Sequence, residues 1–177
     1  HMSGIRHYRG DQDWMSFNER RCETPRDTLD HFIEDDLVSA PGETQTYSTY
    51  GFVLLSHLLT KITETDSFDA AMADALGRAY TFKTDRDDAA KATNLHKFTD
   101  AFEPVPINAQ CKFGAGGLLG STTDLAAFGS DLIERVTDPT DLAAWSLNNG
   151  DLINGAYGMG TGFDDDLQSH YAAHSGG

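Results

Sequence analysis

Positive charge is scarce in this chain of 177 residues. Thirteen lysines and arginines face 28 aspartates and glutamates, for a formal net charge of −15 and an isoelectric point near 4.5. Nucleic-acid binding draws most of its affinity from Lys and Arg contacts to phosphate, so no nucleic-acid partner is expected, and an anionic membrane surface would be repelled. Long apolar runs are missing as well. No window reaches the roughly 18 consecutive apolar residues that a membrane helix needs, so no membrane span is expected. No basic-plus-apolar leader opens the sequence. Cysteine is limited to Cys22 and Cys111, which lie far apart and outside any C-x-x-C pair. Two such residues neither demand a disulfide nor build a zinc site, and they leave the redox compartment and the localisation open.

Several catalytic and binding signatures are absent too. There is no H-E-x-x-H pair and no G-x-S-x-G elbow, and the run Asp164-Asp165-Asp166 lacks the alternating ligands and following glycine of a calcium loop. The glycine cluster Gly114, Gly116, Gly117 and Gly120 has no Gly-Lys-Ser/Thr ending and does not fit G-x-G-x-x-G. It reads as a tight strand-to-helix turn. No metal and no cofactor is expected, and no internal repeat or low-complexity tract is found.

What is present can build a core. Apolar residues make up 39% of the chain, aromatics run from Tyr8 to Tyr171, and the length suits one ordinary domain. The first twenty residues lack periodicity and read as loop with a short turn. "TPRDTLDHFIEDDL" then offers Thr24 as N-cap, Pro25 at the first helical position and Asp27 in the first turn, which predicts a short helix over about 25–35. Pro41-Gly42 breaks the chain before "TQTYSTYGFVLLSHLLTKIT". From Gly51 onward Phe52, Leu55, Leu58, Leu59 and Ile62 recur at helical spacing, and Val53 and Leu54 widen the apolar face, predicting a helix buried on most sides.

Farther on, Ser67 caps a helix with Phe68, Met72, Ala75 and Leu76 inward. The segment 80–110 is irregular and extended. Ser121 with Asp124 approximates a capping box ahead of a helix with Leu125, Phe128, Leu132 and Ile133 inward. "DPTDLAAWSLNNG" predicts one more short helix, and the glycine-rich end predicts strands or hairpins. His31 and His57 fall within helical patterns and read as exposed or hydrogen-bonded structural residues.

Tyr47, Ser48 and Thr49 stand at the mouth of the most apolar run. Ser48 or Thr49 would serve as an N-cap, and Tyr47 would pack its ring. The alternative is chemical: a phenol beside a cation and a helix N-terminus is drawn toward phenolate and can act as a general base. His174, set in "AHSGG" between small residues, reads by itself as a turn histidine, although the glycines would let another backbone or a ligand approach closely.

Four segments in order resemble one family. "HMSGIRHY" is similar to the L-L-x-H-T-S-G-I stretch of serine beta-lactamase-like proteins, a group of class C beta-lactamases, penicillin-binding DD-peptidases and esterases. "APGETQTYSTYGFVLLSHLL" resembles its P-G-x-x-x-x-Y-S-N-x-G-Y-x-L-L segment. "KFGAGGLLGSTTDLAAFG" resembles A-G-G-L-x-S-T-x-x-D-L-A-x-F, and "HSGG" resembles H-T-G-G. The "SGIRHY" wording is closest to the mitochondrial-type branch of that family.

The resemblance implies an α+β fold, of which this chain carries mainly the helical region with a few short strands. It implies hydrolysis of an amide or ester through an acyl-serine, for a small-molecule or peptide substrate, without a cofactor. Tyr47 matches the motif tyrosine, a proton carrier. His174 matches the residue standing where many relatives carry the lysine of Lys-Thr-Gly, with Ser175 and Gly176 following on the substrate side. Thr49 stands where relatives have a substrate-facing asparagine, and its hydroxyl can donate only one hydrogen bond.

The family's nucleophile belongs to a Ser-x-x-Lys motif, and no serine here has a lysine three residues on. The chain therefore reads as one incomplete domain over residues 1–177, an interior portion that does not acylate by itself. The alternative reading is a non-catalytic peptide- or cell-wall-binding domain on the same scaffold.

Overall fold

The computed structural model describes residues 1–76 and 109–132 in full. It describes the backbone of 83–84, 96–98, 102–104, 133–137, 160–164 and 169–173, and the isolated positions 166 and 168. Contacts divide the chain into two compact units.

The larger unit holds Arg6–Asp36 and Ser48–Leu119. It opens with helix α1, Asp11–Asn18, followed by a 3-10 helix η1, Pro25–His31. The expected start at Thr24 and Pro25 is found, and it closes as a capping box: the Asp27 carboxylate takes the Thr24 N–H at 2.7 Å and the Glu23 N–H at 2.9 Å. The element winds as a short 3-10 helix that stops at His31, where a helix to about residue 35 was expected. Helix α2, Thr49–Ile62, and helix α3, Phe68–Leu76, come next, and the Ser67 hydroxyl caps α3 by accepting the Ala70 N–H at 3.1 Å.

Two short antiparallel strands, β2 (His96–Phe98) and β3 (Phe102–Pro104), pair with each other. Strand β1 (Lys83–Thr84) pairs with β4 (Leu118–Leu119), which follows a second 3-10 element, η2 (Gln110–Ala115). The core lies where α2 meets η1, η2 and α3, and Phe17, Phe32, Tyr50, Val53, Phe68, Ala71 and Phe113 are buried there.

The buried face of α2 differs from the expected one. Tyr50, Val53, Ser56 and Thr60 point inward, while Leu55, Leu58 and Ile62 remain exposed at 55%, 44% and 79%. The cause is a close approach: the Ser56 hydroxyl accepts the Gly114 N–H at 3.1 Å while donating to the Phe52 carbonyl. A β-carbon on Gly114 would meet that hydroxyl at 2.8 Å and the Phe68 ring at 3.2 Å. Only a small side chain at 56 admits η2 to this face, so the bulky leucines occupy the other.

Cys22 and Cys111 form a disulfide across a sequence separation of 89. Closing a loop of that length is worth on the order of 4 to 5 kcal/mol in the chain-entropy account. It ties the segment before η1 to the first turn of η2, joining two pieces that local sequence could not bring together.

The smaller unit holds His1–Ile5, Leu37–Tyr47 and Gly120–Gly177. Its first and second segments lie side by side, with the Val38 N–H on the Gly4 carbonyl, Gly42 on Met2 and Thr46 on His1, each at 2.8 Å. Gly4 has φ 72°, and a β-carbon there would collide with the Ser39 carbonyl. Helix α4, Thr122–Thr137, starts at Ser121, whose hydroxyl accepts the Asp124 N–H at 3.0 Å and donates to its carboxylate at 2.8 Å. Leu125, expected inward, is 63% exposed, and Phe128 and Leu132 are partly covered. Strands β5 (Gly160–Asp164) and β6 (Ser169–Ala173) form the expected hairpin, with Gly160 opposite Ala173. The helix expected in "DPTDLAAWSLNNG" lies outside the described residues.

Candidate active site

The two sequence-picked residues nearest α2 have different surroundings. Tyr47 belongs to the smaller unit, is 52% exposed, and sets its ring 4.5 Å from the His1 ring at an interplanar angle of 36°. Thr49 belongs to the larger unit as the first residue of α2 and is 6% exposed. Its N–H donates to His7 Nδ1 at 3.3 Å. His174, Ser175 and Gly176 lie outside the described residues.

Ser48, between the two, is the N-cap. Its hydroxyl accepts the Gly51 N–H at 2.9 Å and donates to the Arg6 carbonyl at 2.7 Å, while the residue itself is 1% exposed. One short side chain thus satisfies an orphan helix amide and pins α2 to the backbone at Arg6. With Ser48 and His7 both engaged, the amides of Gly51 and Thr49 are taken.

Around this helix end the larger unit buries a polar cluster that sequence reasoning did not find. The Arg6 guanidinium bonds Asp13 at 2.7 Å and Asp35, and also donates to the His7 and His31 carbonyls. Asp13 accepts in addition from the Arg9 N–H at 2.8 Å and meets His31 Nε2 at 2.7 Å. Burial alone would raise the Asp13 carboxyl. The Arg9 N–H, His31 and Arg6 together outweigh it and hold the group below the usual carboxylate range. Asp35 is held down chiefly by its bond to Arg6.

Tyr50 fills the centre of that cluster. Its ring stacks on Phe32 at 4.7 Å, meets Phe17 edge-on at 5.1 Å and Tyr8 at 5.2 Å, and lies 4.8 Å beneath the Arg6 guanidinium. Its hydroxyl reaches Asp13 at 3.3 Å. Burial, with the Asp13 charge beside it, pushes the Tyr50 phenol well above the ordinary tyrosine value, so it stays protonated. The only signal for this role was spacing: Tyr50, Val53 and Phe17 carry no motif, but Tyr50 and Val53 share one helical face.

The beta-lactamase family model matches residues 1–177, the whole chain. The chain belongs to the beta-lactamase family. Among solved structures, a D-stereospecific amidohydrolase from Streptomyces sp. is similar with a TM-score of 0.61 and 16% identity. That match covers 100% of this chain and 58% of the other. The D-amino acid amidase of Ochrobactrum anthropi SV3, solved with L-phenylalanine amide, has a TM-score of 0.59 and 13% identity, covering 97% of this chain and 60% of its own. At these identities the likeness establishes the fold, and the chain spans about three fifths of the length of either structure. No curated protein sequence matches the chain.

The fold is thus the α+β beta-lactamase-like one, of which this chain carries a mostly helical part with a few short strands. Among the described residues no helix is long and apolar enough to cross a membrane, and no three metal-binding side chains converge.

Proposed function

We propose that this chain is the interior part of a serine hydrolase that cleaves an amide or ester through an acyl-serine, with Tyr47 as the proton carrier. The family match over residues 1–177 carries the reading, and the amidase neighbours favour an amide, such as that of a D-amino acid, over an ester. By the motif alone, Thr49 takes the position at which relatives carry an asparagine. His174, followed by Ser175 and Gly176, would line the carboxylate or oxyanion side of the cleft, as the motif implies. The serine attacks the carbonyl, its proton passes to the Tyr47 oxygen, and the same phenol returns a proton to the leaving amine. Water then cleaves the ester by the reverse path.

That serine must come from a Ser-x-x-Lys segment, which this sequence lacks. Taken alone the chain is expected not to acylate. The absence equally favours a second reading, a peptide- or cell-wall-binding domain that keeps the scaffold and has lost the chemistry. The Cys22–Cys111 disulfide supports an oxidising compartment for either.

Mass spectrometry after incubation with a fluorophosphonate or a beta-lactam separates these readings. This chain should gain no mass. A polypeptide extended upstream to include Ser-x-x-Lys should gain one probe on that serine. A stoichiometric adduct on any serine of the present chain would overturn the assignment, and an extended polypeptide carrying Ser-x-x-Lys but inert to both probes would favour the binding domain.

A further inference from the structure

The neighbour of Tyr47 comes from the far end of the sequence. Segments 1–4 and 38–46 run antiparallel, with the Gly4, Met2 and His1 carbonyls accepting the N–H groups of Val38, Gly42 and Thr46 in turn, each at 2.8 Å. Two glycines fix the spacing of that ladder. At one end Gly4, φ 72°, lies so close to the Ser39 carbonyl that a β-carbon would collide with it. Farther along, the chain turns at Gly42, φ 85°, with the Glu43 N–H on the Ala40 carbonyl at 3.1 Å. The register so set ends with Thr46 on His1, and the next side chain, Tyr47, meets the His1 ring at 4.5 Å and 36°.

The two rings are held unequally. His1 is partly covered and its Nε2 is shielded from solvent, so its ring is seated, whereas Tyr47 is 52% exposed. A half-exposed phenol turning about its two side-chain bonds would carry its oxygen over a wide arc, and a seated ring against it narrows that arc. Proton transfer needs the narrowing. In the acyl-serine reading the phenol oxygen must come within roughly 2.6–3.2 Å of the serine and then of the leaving amine. A misplacement of about 1 Å costs on the order of 10²-fold in rate.

We infer that His1 is a positioning residue: its ring, set against Tyr47 by the pairing of 1–4 with 38–46, holds the phenol in line for proton transfer. This role rests on the acyl-serine reading, which it deepens. What acts on Tyr47 is ring-to-ring packing, so the role asks for a flat ring at position 1 and for neither a charge nor a proton. Another flat ring serves as well, and a methyl group does not.

The test is steady-state kinetics on an amino-acid amide, in the extended polypeptide carrying Ser-x-x-Lys, with urea unfolding to show that each variant is folded. His1→Ala should lower kcat by about 10- to 100-fold and leave KM within about threefold. His1→Phe should restore kcat to within about threefold of the wild type. On a Tyr47→Phe background His1→Ala should cost nothing further, because its effect passes through the phenol. Wild-type kcat in His1→Ala, where Tyr47→Phe is disabled, would overturn the role of His1 alone. So would a His1→Ala loss that phenylalanine does not repair, or one that persists in full on the Tyr47→Phe background. Wild-type turnover in Tyr47→Phe, or an extended polypeptide that turns over nothing, would remove the acyl-serine reading itself and the role of His1 with it.

Discussion

Tyr47 and Tyr50 stand three residues apart in the chain and have opposite environments. Tyr50 is fully buried, stacked on Phe32, capped by the Arg6 guanidinium and bonded through its hydroxyl to Asp13. Tyr47 is half-exposed, with its ring beside His1. The same phenol serves as a structural anchor in one place, where burial keeps its proton on. In the other it is accessible to a substrate. Residue type and spacing do not separate the two roles; packing does.

The largest effect that would break this contrast falls on the anchor. Tyr50→Ala should destabilise the larger unit by about 4 kcal/mol, as for other buried aromatics cut to alanine, measured by urea unfolding. A loss under about 1 kcal/mol would show that the ring is not the centre of this core.

The charges around the anchor come next. Asp13→Asn should cost about 2 kcal/mol, because it strips a carboxylate from Arg6, His31 and the Arg9 amide at once. Its pH signature has a definite sign. The folded Asp13 carboxyl lies below its unfolded value, so its stabilisation is complete above the unfolded value of roughly 4 and is lost as pH falls through the folded one. Unfolding midpoints followed from pH 7 to pH 2 should therefore fall less steeply in Asp13→Asn than in the wild type. Parallel curves would show that Asp13 is not among the groups that make the fold acid-labile.

Much of the local structure was legible before the fold was known. Ser67, and Ser121 with Asp124, each announced a helix start through a hydroxyl that accepts a first-turn backbone amide, and Thr24-Pro25 announced the start of η1. The glycine cluster is shared out instead, Gly114 within η2, Gly116 as its left-handed cap and Gly120 between β4 and Ser121, while the terminal segment became a hairpin. Helix α1 was not legible, since Phe17 is its only buried residue and it is held by the tertiary bonds of Asp13. The disulfide was not legible either, because two cysteines 89 residues apart define no geometry.

The burial of α2 misled for a physical reason. Periodicity ranks faces by hydrophobicity, whereas the face that packs is the one whose small Ser56 lets Gly114 come close. At the candidate site the motif singled out Tyr47, Thr49, His174, Ser175 and Gly176. The Arg6–Asp13–Tyr50 cluster emerged only from burial and pairing, which no single-residue pattern encodes.

The smallest expected change in stability belongs to the residue on which the functional account rests. In the extended polypeptide carrying Ser-x-x-Lys, Tyr47→Phe should leave the free energy of unfolding within about 0.5 kcal/mol, as for other exposed substitutions. Its kcat/KM for an amino-acid amide should nonetheless fall by about 10² to 10⁴-fold, the range for loss of a general base. Turnover within threefold of the wild type, in a variant equally folded, would contradict the assignment of Tyr47 as the proton carrier.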